Sequence, residues 1–262
     1  MLTLPDLLAP AASDPDLDPG VQSLLDRVVL ITGAARGLGS AIAGVLGQAG
    51  ARLVLADQAL EAVRERAAML THEQVDTLAL GLDVSDPAQC VHAMAVVLDR
   101  FGRIDALINN AAIDVTAPIT ELGVADWQRI LATNLGGPFV LAKLAAEQMM
   151  LQGHGGHIVN IASTAAKRAW PNASAYHATK WGLLGLSHAL HAELRTARIK
   201  VCAVVAGGMR TPFLLDRFPD LDPDVLQDPL HVARVVRFVL QQPDETTIPE
   251  VTVLPRFETS WP

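Results

Sequence analysis

Tyr176 and Lys180 stand four residues apart, downstream of Ser163. On a helix that spacing puts both side chains on one face. A tyrosine with its ordinary pKa of about 10 is a poor base at neutral pH, but an ammonium beside it stabilises the phenolate and lowers that value. Such a phenol can hand a proton to a carbonyl oxygen as hydride reaches the carbon, and as phenolate it can take the proton of an alcohol. Ser163 follows the apolar run Ile158-Val159-Asn160-Ile161, so it sits at the end of a strand, and its hydroxyl can hold a substrate oxygen without titrating. Tyr-x-x-x-Lys alone also describes an ordinary surface pair. The combination with Ser163 and an upstream glycine turn sets it apart, and Tyr176 is the only tyrosine in the chain.

The glycine turn reads Gly33-Ala34-Ala35-Arg36-Gly37-Leu38-Gly39. Before it runs Arg27 to Thr32, β-branched and apolar like a strand buried on both faces; after it, Ser40 to Leu46 carries apolar residues at helical spacing. Strand, glycine turn and helix together present free N–H groups and a positive dipole end to a pyrophosphate. A second apolar run, Ala51 to Ala56, ends in Asp57. An acid there accepts from ribose hydroxyls and repels a 2′-phosphate, which favours NAD over NADP. The same residue would also serve as a turn aspartate or helix N-cap. Arg36, inside the turn, could instead pair with a 2′-phosphate, so NADP stays open.

Strands and helices must alternate to position these groups, and they do. Helical residues 59 to 70, a strand ending at Asp83, a helix from Asp86 to Phe101 and a strand from Ile104 to Asn110 come first. A long helix from about Ala125 to Leu151, the strand into Ser163, a helix from near Ser174 to about Ala197, and a strand from Ile199 to Val205 follow. Asp228-Pro229 then starts a helix with proline at its first position. The pattern predicts an α/β, doubly wound, Rossmann-type fold of three layers, α/β/α, around a seven-stranded parallel sheet. With 262 residues, 50% hydrophobic and 18% charged, residues 25–262 are expected to form one domain.

Net charge of −8, with no basic stripe, argues against a nucleic-acid partner. No apolar span suits a membrane. His154/His157 and His188/His191 lack an evident third ligand, so no metal site is expected. Cys90 and Cys202 lie in separate apolar segments, as reduced thiols do, and the expected location is cytoplasmic. Residues 1–24 hold four prolines and no basic residue, unlike a signal peptide; they read as an extension, loose or packed on a neighbouring subunit through Leu2, Leu4, Leu7 and Leu8.

From Arg27 to about Thr211 the chain resembles the short-chain dehydrogenase/reductase family, in its single-domain branch of about 250 residues. Thr32-Gly33, Gly37 and Gly39 match its glycine pattern. The resemblance implies that Leu38 belongs to the cofactor turn, that Asp83 and Val84 hold the adenine ring, and that Asn110, in Asn109-Asn110-Ala111, lies beside the adenosine ribose. It further implies that Asn134 completes a tetrad with Ser163, Tyr176 and Lys180, its backbone carbonyl anchoring a water that links the lysine to solvent. By the same likeness Thr211 bonds the nicotinamide carboxamide, with Met209 in the same clamp. The family's Asn-Asn-Ala-Gly ends here in Ala112, its Pro-Gly appears as Ala206-Gly207, and the ending Ile248 to Pro262 lacks the usual glycine-rich loop.

These readings describe an NAD(P)-dependent oxidoreductase that interconverts a secondary alcohol and a ketone. The other class open to the fold is a catalytically silent nucleotide-binding regulator. Ala165, Trp170 and Phe213 are expected to wall the substrate pocket, and Lys167 and Arg168 could meet an anionic group. A small hydroxy acid or polyol and a lipophilic ketone both fit. The family pairs its long helices across two-fold axes, which implies a homotetramer or homodimer.

Overall fold

The computed structural model describes residues 21–257, so the extension expected over residues 1–24 lies largely outside the described residues. Its last four residues belong to the packed body: Leu24 is buried in the core, and the Gln22 N–H donates to the Gln241 carbonyl at 2.8 Å.

Seven strands form one sheet. They are β1 (Val28–Thr32), β2 (Arg52–Asp57), β3 (Thr77–Gly81), β4 (Ala106–Asn109), β5 (Gly156–Ser163), β6 (Ile199–Ala206) and β7 (Glu250–Val253). Their spatial order is β3-β2-β1-β4-β5-β6-β7, with every pairing parallel. Among the described residues eight α-helices accompany them: α1 (Gly37–Gln48), α2 (Leu60–His72), α3 (Pro87–Phe101), α4 (Val124–Leu131), α5 (Gly137–Gln152), α6 (Ser174–Leu194), α7 (Pro212–Leu215) and α8 (Pro229–Leu240).

Alternation along the strands builds the three layers. Val29 and Ile31 of β1, with Leu53 and Leu55 of β2, face a core completed by Ile42 and Leu46 of α1, Leu70 of α2 and Val232 and Val236 of α8. Val28, Leu30 and Val54 face the opposite way, toward Cys90 and Val97 of α3, Leu141 and Met149 of α5 and Leu194 of α6. With both faces covered, β1 is buried at every position, which is why its sequence is apolar without a break.

The strand order reverses between β1 and β4, so the chain leaves the sheet in opposite directions there and opens a crevice at the carboxyl ends of the strands. Several boundaries differ from expectation. The long helix is α4 and α5 joined by a π-helical turn, Ala132–Gly136. β3 stops at Gly81, two residues before Asp83, and the short helix α7 had no signal beyond Pro212. The Asp228 N-cap and Pro229 start α8 as expected, the Asp228 carboxylate accepting from the Leu230 N–H at 2.8 Å. Among the described residues no helix is long and apolar enough to cross a membrane, and no three His, Cys, Asp or Glu side chains converge as metal ligands.

Candidate active site

The glycine turn follows β1 directly. Gly33 and Gly37 have φ of 64° and 57°, a region that side-chain-bearing residues rarely adopt. Gly39 is required by contact: a Cβ there would lie 2.1 Å from the Gly33 carbonyl oxygen. Asn110 ties the turn to the end of β4, its Nδ2 donating to the Thr32 and Gly33 carbonyls at 2.8 and 3.0 Å. Arg36 stands at the N-cap of α1 without a side-chain cap bond, and the first turn holds no acid. The N-terminal N–H groups of α1 are therefore left to an anion, which is the cradle a pyrophosphate needs.

Asp57 ends β2 beside this turn. One carboxylate oxygen accepts from the Ala35 N–H at 3.1 Å and the other from the Ala59 N–H at 3.0 Å. Each oxygen keeps a lone pair for a further donor, so the turn-aspartate reading and the ribose reading are compatible. The Arg36 guanidinium lies 3.4 Å from the Asp216 carboxylate, and both are largely exposed.

Ser163, Tyr176 and Lys180 meet where β5 ends against α6. Tyr176 and Lys180 are buried, one helical turn apart as the spacing predicts. The Ser163 Oγ accepts from the Ala165 N–H at 3.1 Å and also bonds the Tyr176 phenol. Burial pushes the phenol up to about 12, against the pull of the Ser163 bond; the Asp114 carboxylate raises it further and Arg217 lowers it. The lysine does not lower the phenol here as the sequence led us to expect. Its ammonium donates to the Ile161 carbonyl at 2.7 Å and lies 5.5 Å from the centre of the tyrosine ring. Burial brings Lys180 down to about 8, with Asp114 opposing.

Asn134 lies one step behind, buried in the π-helical turn. Its side chain grips the loop after β4 with both ends: Oδ1 accepts from the Ile113 N–H and Nδ2 donates to the Ile113 carbonyl, each at 2.8 Å. Nδ2 also reaches the Thr179 hydroxyl at 3.2 Å, which bonds the Tyr176 carbonyl at 2.8 Å. A π-turn inside a helix leaves backbone groups out of the regular ladder.

One cavity of about 750 Å³ joins these parts. Gly33, Arg36, Gly37, Leu38, Asp57, Val84 and Asn110 line one half, and Ser163, Trp170, Tyr176, Lys180, Met209, Thr211 and Phe213 the other. Gly39 and Asn134 support the lining from behind. Asp83 does not reach it; its carboxylate accepts from the Ser85 N–H and hydroxyl at 2.9 and 2.7 Å, while Leu82 and Val84 face the cavity. Burial raises the Asp83 carboxyl, but the bonds from Ser85 and Gln58 outweigh that and hold it below the usual range. Ala165 is also behind the wall, fully buried against Tyr176 and Ala173, with Phe213 packed on the same cluster. Phe213 meets the Tyr176 ring at 5.9 Å, and Lys167 turns away to a Glu250 oxygen at 2.8 Å.

Two residues of the lining form a pair that the sequence did not show. Arg217 pairs with Asp114, 103 positions away, and stacks 4.3 Å from the Phe213 ring centre. The Asp114 side chain is 4% exposed, so this pair seals the cavity between the loop after β4 and the segment after α7.

A Rossmann-type sheet with a glycine cradle and a Ser–Tyr–Lys cluster at one crevice defines a dinucleotide-fold oxidoreductase. The sequence profile of the short chain dehydrogenase family matches residues 27–222, and the chain belongs to that family. It is an oxidoreductase of CH–OH groups. It is 38% identical over 181 residues to a sorbitol dehydrogenase of Cereibacter sphaeroides, covering 69% of this chain and 70% of that one. Its fold is similar to a metagenomic short-chain oxidoreductase in complex with NADP, at TM-score 0.79 and 32% identity over 89% of this chain and 99% of that one. It is also similar to a 3-ketoacyl-(acyl-carrier-protein) reductase of Brucella melitensis complexed with NADH, at TM-score 0.81 and 28% identity over 90% and 99% of the two chains.

Proposed function

We propose that this protein interconverts a secondary alcohol and a ketone with a nicotinamide dinucleotide, NAD in preference to NADP, and that Tyr176 is the proton donor and acceptor. The observation that carries the reading is the convergence of Ser163, Tyr176 and Lys180 on the same cavity as the glycine cradle and Asp57. The bound dinucleotide supplies the hydride donor or acceptor. Gly33 to Leu38 and the α1 N-terminus would hold its pyrophosphate and Asp57 its adenosine ribose, with Val84 and Asn110 flanking that half and Thr211 and Met209 at the carboxamide end.

The protein's own groups then handle one proton. In reduction the neutral Tyr176 phenol gives its proton to the carbonyl oxygen, which the Ser163 hydroxyl holds in place. In oxidation the phenolate takes the alcohol proton. A phenol pushed up to about 12 is ready to donate at neutral pH and reluctant to accept. Oxidation, which needs the phenolate and releases a proton, is expected to gain with every rise in pH. The Lys180 ammonium, held on the Ile161 carbonyl 5.5 Å from the centre of the tyrosine ring, places a buried donor on the cavity wall beside the acid. Asn134 keeps the loop after β4 and the catalytic helix in register.

NAD is favoured because the Asp57 carboxylate, which ends β2 on the cavity wall, would repel a 2′-phosphate, while Arg36 faces Asp216. The substrate is a neutral alcohol or ketone, because Lys167 and Arg217 both already face carboxylates, Glu250 and Asp114. The likeness to a sorbitol dehydrogenase puts polyols first in a substrate panel. Cys90 and Cys202 are free and buried, which fits the cytoplasm. Phe139 on α5 and Trp181 on α6 are about half exposed, at 51% and 52%, and fit pairing of two copies in a homodimer or homotetramer.

The test needs no substrate at first: separate titrations with NADH and NADPH, followed by nicotinamide fluorescence at one salt concentration. Tighter NADH binding, then turnover of a polyol or simple secondary alcohol that is lost in Tyr176→Phe, is the expected outcome. Binding of neither dinucleotide would refute the reading. Binding with no turnover on any alcohol or ketone would favour a silent regulator.

A further inference from the structure

We propose that His177, the residue after the catalytic tyrosine, is a positioning residue whose two ring nitrogens fix the two sides of the substrate end of the cavity separately. This rests on the enzyme reading above. The His177 ring is buried, 8% exposed, in the first turn of α6. The Trp170 N–H donates to its Nε2 at 3.1 Å, so Nε2 carries no proton. In the neutral ring the proton is then on Nδ1, and Nδ1–H donates to the Ala165 carbonyl at 2.9 Å. Geometry alone fixes the tautomer.

Each bond acts on a different part of the site. Ala165 is held through both of its backbone groups, its carbonyl by His177 and its N–H by the Ser163 hydroxyl oxygen. The Nδ1 arm thus fixes the partner of Ser163, and Ser163 bonds the Tyr176 phenol. The Nε2 arm fixes Trp170, whose ring meets the imidazole edge-on at 4.3 Å and lines the cavity. Beyond Trp170 the wall is tethered from the Ala117 N–H to the Asn172 carbonyl and from the His177 N–H to the Ala173 carbonyl, each at 2.9 Å, and Asn172 itself turns with φ of 65°. An irregular loop that must stand against a substrate is in this way hung on the helix that carries the acid and the lysine.

Two variants separate the arms. In His177→Asn the side-chain amide nitrogen falls near the place of Nδ1 and keeps a donor for Ala165, but nothing accepts from Trp170. In His177→Leu both bonds are gone. For His177→Asn we expect KM for the alcohol to rise about tenfold and kcat to stay within about threefold, the loss of one hydrogen bond expressed in binding. For His177→Leu we expect kcat to fall about tenfold as well, as the Ser163 hydroxyl loses its fixed partner. NADH binding should change less than about twofold in both. Equal losses of kcat in the two variants, an unmoved KM, or a loss of NADH binding in step with KM would overturn the proposal.

Backbone amide exchange gives a readout independent of turnover and of whether His177→Leu folds. In His177→Asn the Trp170 amide should exchange about tenfold faster, with the amides in the middle of α6 unchanged. An unaltered Trp170 amide, or faster exchange throughout α6, would refute the positioning role. A protein that bound no dinucleotide would instead refute the enzyme reading and leave this measurement to stand.

Discussion

The two ends of the central sheet bury polar groups for different ends. At the amino end, Asp105 precedes β4 with its side chain 1% exposed. It accepts from the Val28 N–H at 2.8 Å and faces Arg103 at 2.5 Å and Arg27 at 3.9 Å. His157 is buried nearby, and the space they share amounts to about 10 Å³. At the carboxyl end, Tyr176 and Lys180 are buried to a similar degree but border a cavity of about 750 Å³. Burial and shifted titration therefore do not mark an active site by themselves. What distinguishes the carboxyl end is that its polar groups have room beside them for a reacting molecule.

Mutation should separate the two ends cleanly. Tyr176→Phe removes one oxygen from the cavity wall and no packing of consequence. Turnover should fall about 10³-fold, equivalent to about 4 kcal/mol of transition-state stabilisation, with NADH binding nearly unchanged. A variant retaining a tenth of wild-type turnover would break the comparison, because the open end would then be no more chemical than the closed one. Asp105→Ala should do the reverse. It leaves the buried Val28 N–H without its acceptor and takes the carboxylate from Arg103 and Arg27, and we expect about 3 kcal/mol of lost stability. For a chain of this size that is a fall in Tm of the order of 8 °C, with the NADH dissociation constant unaltered.

Much of the carboxyl end was legible because its signals are local. A strand, a glycine turn and a helix follow one another without a break from Val28 to Gln48, and Tyr176 and Lys180 need only helical spacing to share a face. Pro138 was a local signal left unread: it has no N–H to give the Asn134 carbonyl, and the helix loosens into its π-turn at that point. Contacts that depend on packing were not legible. Nothing in the sequence pairs Asp114 with Arg217, or shows that Ala165 turns behind the wall while Trp170 stays on it. Asp83 was aligned by family pattern, yet β3 ends two residues earlier and the carboxylate folds back onto Ser85. The closed end left no sequence signal, since Asp105 and His157 are 52 positions apart until β4 pairs with β5.

Acid should sharpen the contrast from the closed end. Burial pushes His157 down to about 4 from 6.5, with Lys200 and Arg27 lowering it further. Between those values the unfolded chain takes up a proton that the folded chain refuses. Stability is thus full above pH 6.5, falls as the pH drops toward 4, and from this group falls no further below that. At pH 4.5 the loss should be about 2 to 3 kcal/mol, on the order of 1.4 kcal/mol for each pH unit crossed between the unfolded and folded values. Denaturant melts of wild type and His157→Gln at pH 7, 5.5 and 4.5 would show it as a flatter dependence in the variant. Parallel curves would mean that His157 is not kept neutral by the closed end.

The smallest effect is expected at Asp57, which is partly exposed at the end of β2. A 2′-phosphate brought near this carboxylate meets a repulsion of about 1 to 2 kcal/mol in a partly solvated crevice, so wild type should bind NADH about tenfold tighter than NADPH. Asp57→Ser removes the charge, frees the Ala35 and Ala59 N–H groups that the carboxylate now receives, and should bring the two dissociation constants to within about threefold of each other. Arg36 is the control, since its guanidinium is held by Asp216 and should matter little to NADH. If wild type instead binds NADPH more tightly and Arg36→Ala abolishes that preference, the exposed arginine has left Asp216 for the phosphate. The cofactor half of the cavity would then be set by a mobile surface charge rather than by the strand-end acid, and its discrimination should weaken as salt screens that charge.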